Sequence, residues 1–317
     1  MQSSYILSMF GRPVLTDVHS MADATSLSAG FLYKLSVRND KFYRRFDIPK
    51  KAGGSRTICS PSREMKAVQA WILRNILEPL TVDQAATAFR RGRRLLDNAL
   101  PHQHNRFFLC LDLEDFFPSI PYAKVYNVFR TCGYGPHMAH VLARLCTCED
   151  KLPQGGVTSP ALSNIVCIRL DRRITSFVGK RNVAYTRYAD DLTFSSMSPN
   201  RLSSIVPTIR HIVEDEGFTL NGAKARRMGP RQQCRITGLV VSDAQVGVGR
   251  GRKRALRAAI HSVLLQPQDA DDREHRIAHV RGWLAFLKSV DKRGLAQLQV
   301  HADRVAQRHG VANVLSP

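Results

Sequence analysis

Two adjacent carboxylates, Asp190 and Asp191, lie in the middle of a stretch that otherwise has the character of a β-strand, "AYTRYADDLTFSS" at residues 184–196. The residues on both sides favour strands, so the pattern predicts a hairpin whose turn carries both acids. In such a hairpin the carboxylates leave the ladder at one end while the flanking strands hold them rigidly. Like charges held this close repel each other, so the pair predicts a bound cation.

A third carboxylate, Asp112, follows the apolar run in "RFFLCLDLEDFF", which is typical of a central strand with acids at its tip. Asp112 meets the hairpin only if the two strands are neighbours in one sheet. Carboxylate oxygens suit Mg²⁺, and two such ions support phosphoryl transfer: one lowers the pKa of the attacking hydroxyl, and the other neutralises the departing pyrophosphate. A second doublet, Asp271 and Asp272, lies in the mixed-charge stretch "PQDADDREHR" and predicts only a surface.

The charge of the chain is strongly positive, with 47 Lys and Arg against 26 Asp and Glu in 317 residues, a net charge of +21. This exceeds what solubility requires and predicts a polyanionic partner, with nucleic acid as the first candidate. Dense basic regions at 34–63 and 224–257 flank the acidic centre, as in a cleft for a phosphate backbone. Neither an apolar stretch of about 18 residues nor a signal-peptide pattern is found, which predicts a soluble, cytoplasmic protein with no membrane partner.

Cysteine and histidine usage gives little sign of a disulfide framework or a zinc site. The seven cysteines are odd in number, scattered and mostly in apolar contexts, which predicts reduced core thiols. His275 and His279 lie four residues apart beside Glu274, but no third ligand is apparent, so a solvated helix face is preferred over a metal site.

The remaining pattern alternates between helix and strand. Helical character at about 20–45 is followed by a basic hairpin, "FDIPKKAGGSRTICSPS", and a helix from residue 63 that Pro79 stops. Further helices are predicted at about 121–148, 158–178 and 201–216, then a strand in "CRITGLVVSD", and only helices beyond about residue 250. The pattern predicts a mixed α/β (α+β) body with a basic helical lobe at its C-terminal end.

Three segments together resemble the palm motifs of reverse transcriptases, in the order known for that superfamily: "LDLEDFFPSI", "LPQGGVTSPALSN" and "YADD". "DNALPH" at 97–102 resembles the Asn-Ala-x-x-His motif of retron reverse transcriptases, and "RITGLVV" lies where that family has Val-Thr-Gly, with Ile236 in place of Val. The short chain, without a recognisable maturase, endonuclease or RNase H extension, also fits a retron enzyme. The resemblance implies a right-hand polymerase fold, with an N-terminal helical segment at 1–47, fingers and palm on an antiparallel sheet at 48–245, and a helical thumb at 246–317.

The resemblance also implies the metal ligands. Asp112 and Asp190 would be the principal ligands of two Mg²⁺ ions, with Asp191 in support. Asp115 would be peripheral, because the metal-binding position of this motif is its first acid.

A second set of residues would bind the incoming dNTP. Phe117 would pack under the sugar and exclude a 2′-hydroxyl, Gln154 would lie along the nucleotide, and Gly155 would let the backbone approach it. Arg56 would contact the triphosphate, and Lys224 would protonate or stabilise the departing pyrophosphate. Lys50 and Lys51 are alternatives to Arg56 that the sequence does not rank.

A third set would bind RNA, which proteins distinguish by shape, 2′-hydroxyl contacts and splayed loop bases. Its members are Asn98, Ala99, His102, Ile236, Thr237 and Gly238, together with Arg252, Lys253 and Arg254 of the thumb, which would face phosphates.

The function implied by the resemblance is RNA-directed DNA synthesis that copies part of a dedicated structured non-coding RNA into single-stranded DNA. Priming from a guanosine 2′-hydroxyl, an RNA–DNA hybrid product, template removal by host RNase H, an accessory effector protein and a role in anti-phage defence are further implications. Two other interpretations stay open. One is a different bacterial reverse transcriptase, group II intron-like or an unlinked defence enzyme, which would accept any primed template; the other is a non-catalytic RNA-binding scaffold.

Overall fold

The computed structural model describes residues 7–49, 53–242, 245–265 and 270–315. The α-helices are α1 (Val18–Thr25), α2 (Ala29–Val37), α3 (Arg63–Ile72), α4 (Leu95–Ala99), α5 (Tyr122–Thr131), α6 (Pro136–Cys146), α7 (Ser159–Val166), α8 (Ile168–Gly179), α9 (Pro199–Asp215), α10 (Gly249–Leu265), α11 (Ala270–Val290) and α12 (Lys292–His309). The strands are β1 (Tyr43–Pro49), β2 (Ser55–Pro61), β3 (Phe107–Asp112), β4 (Ala184–Tyr188), β5 (Asp191–Ser196), β6 (Arg226–Met228), β7 (Arg235–Ile236), β8 (Leu239–Val241) and β9 (Val246–Gly247). Short 3₁₀ segments lie at Asn39–Phe42, Leu100–His102 and Gly222–Lys224, and a π-helical turn at Leu73–Leu77.

A four-stranded antiparallel sheet of order β4-β5-β3-β6 forms the centre of the molecule. The condition for Asp112 to meet the Asp190 hairpin is fulfilled, because β3 pairs directly with β5. Side chains alternate between the two faces of a strand. One face, with Leu109, Leu192 and Phe194, belongs to the first hydrophobic core; the opposite face carries Asp112 and Asp191.

Two hydrophobic cores divide the chain. The first runs from Leu7 to Phe218 and includes the N-terminal helices as well as the inner face of the sheet. The second joins Ala99 and Phe108 to residues between Cys234 and Leu315. The predicted divisions at 47/48 and 245/246 stay predictions, but the apolar side chains of residues 234–241 pack with the C-terminal helices rather than with the first core.

Most predicted elements are present, with two instructive differences. The helix predicted over 121–148 is broken between α5 and α6, where Gly133 has a left-handed φ of 103°. The single strand predicted in "CRITGLVVSD" is a hairpin of β7 and β8, whose two-residue turn, Thr237 and Gly238, has φ values of 47° and 85°. Two consecutive left-handed residues make a turn that matches the twist of a hairpin, and a glycine at the second position favours it.

The structure also bears on the membrane, cysteine and histidine predictions. No helix in the described ranges is both long and apolar enough to cross a membrane. Of the cysteines, six are buried and Cys59 is half-buried, and all are free thiols. His275 and His279 are exposed on α11, and Asp272 pairs with Arg276 at the surface; the side chain of Asp271 lies outside the described residues.

Candidate active site

The three predicted carboxylates converge at one end of the central sheet. Asp112 is the last residue of β3 and lies directly opposite Asp191, the first residue of β5. Asp190 occupies the turn between β4 and β5, and its carbonyl oxygen accepts a hydrogen bond from Leu113 N at 3.0 Å. The ladder therefore places the three acids beside one another, with Asp112 only 7% exposed.

The negative charges of the three carboxylates lie close together at this end of the sheet. Burial, followed by the charges of Asp190 and Asp112, raises the pKa of Asp191 to about 6. The pKa of Asp190 is also raised, by burial and by Asp112, although its own backbone, Lys224 and Arg56 act in the opposite sense. Carboxylates held together against their repulsion are a suitable donor set for a hard divalent cation.

Lys224 makes a direct contact with this group of carboxylates. Its Nζ donates to both carboxylate oxygens of Asp112 at 2.9 Å. Lys224 lies on the 3₁₀ segment that follows Asn221, whose backbone N–H donates to the Asp112 carbonyl at 2.8 Å. In the described ranges no three or more Asp, Glu, His or Cys side chains are grouped closely enough to hold a metal ion as they stand.

The turn that carries Asp190 is held by a buried polar network that the sequence reading missed. Arg187 is fully buried and donates to the two oxygens of Asp171 at 2.8 and 2.7 Å. Its third nitrogen, Nη1, donates at 3.1 Å to both Asn164 Oδ1 and the carbonyl of Ala189. Tyr185 donates its hydroxyl to the same Asp171 at 2.9 Å. The guanidinium thus ties the turn to α7 and α8.

A signal for this network was present in the sequence. Arg187 and Tyr185 are two residues apart and so lie on the same, inward face of a strand. An unpaired charge at such a buried position would be costly. Asp171 falls within the apolar stripe of α8, next to Leu170 and one turn before Ile174. A strand arginine and a helix aspartate, each at a buried position, predict each other as partners.

The same turn contains one residue with a strained backbone. Ala189 has a φ of 57°, a left-handed conformation that is uncommon for residues with a side chain. It is retained because the paired strands and the bond from Arg187 to the Ala189 carbonyl fix the turn on both sides.

Hairpin β1–β2 carries Arg56, and the loop that contains Gln154 and Gly155 is bonded to it. Arg56 is exposed on β2, close enough to Asp190 for its charge to lower the pKa of that carboxyl. The carbonyl of Gln154 accepts a hydrogen bond from Cys59 N at 2.9 Å, which joins the glycine loop to β2. A Cβ on Gly155 would lie 2.9 Å from the Cys59 carbonyl, and its φ is 124°, so this position requires glycine. Lys50 and Lys51 lie outside the described residues.

An aromatic cluster borders the carboxylates. Phe117 is half-buried, with its ring 5.3 Å from that of Phe116 and 6.2 Å from that of Phe89. Phe89 is 46% exposed, and its ring lies 6.4 Å from that of Tyr188, which precedes the turn that carries Asp190. Phe117 therefore has rigid aromatic support, and the exposed Phe89 was not predicted.

The residues predicted to bind RNA fall into two groups, of which the first is buried. Asn98, Ala99 and His102 all have 0% exposure. The two ring nitrogens of His102 lie 2.7 Å from Ser195 Oγ and 2.8 Å from Thr186 Oγ1, and burial lowers its pKa to about 3. The expectation that Asn98 and His102 contact RNA directly is at odds with this placement, because their polar atoms bond to protein.

Asn98 instead connects two distant parts of the chain. Its Oδ1 accepts from Thr87 Oγ1 at 3.0 Å, and its Nδ2 donates to Thr237 Oγ1 at 3.4 Å. Thr237 belongs to the β7–β8 turn, so the two motifs that resemble the retron family touch each other. Ile236 is 2% exposed and packs in the second core, whereas Gly238 is exposed at the turn.

The three predicted thumb bases also differ from one another. Arg254 is exposed. Arg252 stacks on Trp283, with its guanidinium carbon 4.5 Å from the ring centroid. Lys253 is 8% exposed and its Nζ lies 3.0 Å from Asp291, so it forms a buried ion pair rather than an open phosphate contact.

Known proteins that are similar to this chain indicate its family. The model of the family described as "Reverse transcriptase (RNA-dependent DNA polymerase)" matches residues 48–241. A retron Ec86 reverse transcriptase of Escherichia coli is 38% identical over 97% of this chain and 95% of its own length. A retron Mx65 reverse transcriptase of Myxococcus xanthus is 34% identical over 95% and 73%. Among solved structures, a telomerase of Candida albicans aligns over 86% of this chain and 61% of that chain, with 12% identity and a TM-score of 0.48.

The chain therefore belongs to the reverse transcriptases and, within them, to the retron reverse transcriptases. It is an RNA-directed DNA polymerase with a right-hand fold. Under the predicted division of the chain, which stays a prediction, β2 and the central sheet would fall in the fingers and palm, and helices α10–α12 in the thumb.

Proposed function

We propose that the chain copies part of its own structured non-coding RNA into single-stranded DNA, starting from a guanosine 2′-hydroxyl and leaving an RNA–DNA hybrid. The relatives are named for retrons, which supports a dedicated RNA template. Template removal by host RNase H, an accessory effector and a role in anti-phage defence belong to the same proposal. The observation that carries the catalytic part is the meeting of Asp112, Asp190 and Asp191 at one end of the palm sheet.

The chemistry is nucleotidyl transfer with two Mg²⁺ ions. When bound, the ions lower the pKa of the attacking hydroxyl and offset the charge that develops on the pyrophosphate. Asp112 and Asp190 would hold them, with Asp191 in support. Their chemistry suits Mg²⁺: the three side chains offer carboxylate oxygens, and they are crowded enough that the pKa values of Asp190 and Asp191 are raised.

The other side chains bind and orient the dNTP. Arg56 would contact the triphosphate, and its exposed position on β2, with its charge acting on Asp190, supports this role. Lys224 moves from Asp112 to the leaving phosphate. Phe117, held by Phe116 and Phe89, lies under the sugar and excludes a 2′-hydroxyl. Gln154 lies along the nucleotide, at the junction of the glycine loop and β2.

The test incubates purified protein with RNA transcribed from the DNA that flanks its gene, labelled dNTPs and Mg²⁺. We expect labelled DNA that stays attached to RNA after denaturation. An Asp190→Asn, Asp191→Asn double variant should make none, whereas Asp272→Asn, at a surface carboxylate paired with Arg276, should match the wild type.

Two outcomes would contradict the proposal. DNA synthesis on any primed template, without use of the flanking RNA, would assign the chain to a different kind of bacterial reverse transcriptase. Salt-sensitive RNA binding with no Mg²⁺-dependent synthesis would leave a binding scaffold.

A further inference from the structure

Phe89 has a backbone conformation and an exposure that are unusual for a large hydrophobic residue. It is 46% exposed, and its φ of 58° lies in the left-handed region, which bulky side chains rarely adopt. A residue of this kind persists only where the surrounding structure fixes it, and such residues cluster at functional sites. Phe89 therefore calls for an account of what holds it and what its ring does.

The segment 85–89 is fixed to the free edge of the central sheet. The backbone N–H of Thr87 donates to the carbonyl of Arg187 at 2.9 Å, and the N–H of Arg187 donates to the carbonyl of Ala85 at 2.7 Å. The hydroxyl of Thr87 donates to the same Arg187 carbonyl at 3.0 Å. Because β4 is an edge strand, this short parallel bridge extends the sheet by one segment. The backbone just before Phe89 is thus held by the strand that leads to the carboxylates.

Asn164 adds a side-chain anchor to the same segment. Its Nδ2 donates to the carbonyl of Ala88 at 2.8 Å, and its Oδ1 accepts from Arg187 Nη1 at 3.1 Å. The same Nη1 donates to the carbonyl of Ala189. Asn164 is only 2% exposed, so these bonds form away from water. One buried amide thus connects the residue before Phe89 to the turn between β4 and β5.

The ring of Phe89 contacts two aromatic side chains that border the carboxylates. Its centroid lies 6.2 Å from that of Phe117 and 6.4 Å from that of Tyr188, with tilted planes. These separations are those of favourable aromatic pairs. Phe117 also packs against Phe116, at 5.3 Å, and Phe116 is buried. The half-buried Phe117 therefore has one buried aromatic neighbour and one exposed aromatic neighbour.

The position of the Phe117 ring is critical for its proposed role under the sugar. A ribonucleotide differs from a deoxyribonucleotide there by one hydroxyl group, so a small displacement of the excluding ring makes room for it. Close packing restricts a side chain to one rotamer, and a void beside the ring removes that restriction. Loss of Phe89 would leave such a void beside Phe117, whereas the buried Phe116 would stay in place.

We infer that Phe89 is a specificity-determining residue for deoxyribonucleotides: its ring fixes Phe117 under the sugar, and Asn164 fixes Phe89. The inference rests on the proposed function, in which Phe117 excludes a 2′-hydroxyl. Phe89 acts through Phe117, so it is a positioning residue. Because Asn164 also bonds to Arg187, one buried network sets both the position of the excluding ring and that of the turn that carries Asp190.

The first test measures the choice between dGTP and GTP on poly(rC) primed with oligo(dG). Phe89→Ala should lower the ratio of kcat/KM for dGTP to that for GTP about tenfold, mainly because GTP is used faster. Use of dGTP should stay within about threefold of the wild type. Phe89→Tyr keeps the ring and should keep the wild-type ratio. The matched control is Tyr33→Ala, at an aromatic residue of α2 that is 57% exposed, and it should also leave the ratio unchanged.

A second test asks whether Phe89 acts through Phe117. Phe117→Ala should lower the ratio of dGTP to GTP use further than Phe89→Ala does. The double variant, Phe89→Ala with Phe117→Ala, should have the same ratio as Phe117→Ala alone, because the ring that Phe89 positions is already absent. Effects of the two changes that multiply would overturn the inference.

A third test concerns the anchor. Asn164→Asp keeps an oxygen that accepts from Arg187, but it replaces the donor to the Ala88 carbonyl with a second oxygen. The ratio of dGTP to GTP use should fall several-fold, as in Phe89→Ala, because the segment that carries the ring is released. A wild-type ratio in Asn164→Asp would overturn the anchoring role of this residue.

The other outcomes separate the inference from the proposed function. An unchanged ratio in Phe89→Ala, with a lowered ratio in Phe117→Ala, would overturn the inference and leave the proposed exclusion of ribonucleotides intact. An unchanged ratio in Phe117→Ala would contradict the proposed function at that residue. Equal losses with dGTP and GTP in Phe89→Ala, together with a higher KM for the primed poly(rC), would place Phe89 against the template strand and overturn the inference.

Discussion

One face of the central sheet carries polar side chains at both of its ends, because alternate residues of each strand point to the same face. At one end lie Asp112 and Asp191, and at the other lie Thr186 and Ser195. Residues 191 and 195 are four steps apart along β5, or roughly 13 Å. The first end opens towards the fingers hairpin, while the second is covered by His102.

The two ends differ in the partners of their polar side chains. At the covered end each hydroxyl has a neutral partner, and the low pKa of His102 keeps the ring uncharged. At the open end like charges crowd together, and the pKa of Asp191 rises to about 6. The same alternation thus builds a stabilising contact at one end and a crowded anionic site at the other, where Lys224 offsets part of the repulsion and a bound cation would offset more.

The largest expected effect is at the open end. Asp190→Asn should lower DNA synthesis on a primed template by about ten-thousand-fold, or about 5.5 kcal/mol, whereas Asp191→Asn should cost less because its role is supporting. Neither variant should unfold at a lower temperature than the wild type, since each removes one of the repelling charges. A greater loss of synthesis in Asp191→Asn would reverse the proposed ranking.

The second effect concerns the network that supports the catalytic turn. Arg187→Met should destabilise the fold by about 3–5 kcal/mol in urea unfolding, because Asp171 would be left buried without its partner. An Arg187→Met, Asp171→Leu double variant should recover most of that stability. Its synthesis rate should stay low, because the Ala189 carbonyl has still lost its donor; full recovery of the rate would make the network purely structural.

The third effect is a pH dependence of the stability of the fold, which comes from His102 at the covered end. His102 has a pKa of about 3 in the fold against 6.5 for an ordinary histidine, so between these values the unfolded chain binds more protons. The stabilisation is fully present above about pH 6.5 and is lost as the pH falls towards about 3; near pH 5 the loss is about 2 kcal/mol. Urea unfolding of the wild type and His102→Gln over this range measures it, and equal slopes for the two proteins would disprove it.

The smallest effect is in the strained turn itself. Ala189→Gly removes the side chain from a left-handed position and should change stability by no more than about 1 kcal/mol, in the stabilising direction. The looser turn should lower the synthesis rate a few-fold, by about 1 kcal/mol. Unfolding and steady-state rates measured on the same preparation check both signs; a destabilised protein would show that the turn does not hold strain.

Much of the catalytic end could be predicted from sequence, because strand alternation and charge placement are local properties. The run ending at Asp112 and the hairpin around Asp190 each predicted a strand end with acids, and the order of the motifs indicated the pairing. Arg187 and Asp171 were missed since each is informative only beside the other, and they are joined by packing of α8 on the sheet.

By itself, the sequence indicated the kind of chemistry: three acids at strand ends, glycines where the backbone must turn or approach closely, and a net charge of +21 that favours a polyanionic partner. Only the tertiary structure decided which polar residues face the cleft and which face protein. Asn98, His102 and Lys253 are residue types common in RNA-binding surfaces but are buried, whereas Leu100 is exposed. The physical reason is that burial depends on which distant segment covers a side chain, and a local pattern does not specify that partner.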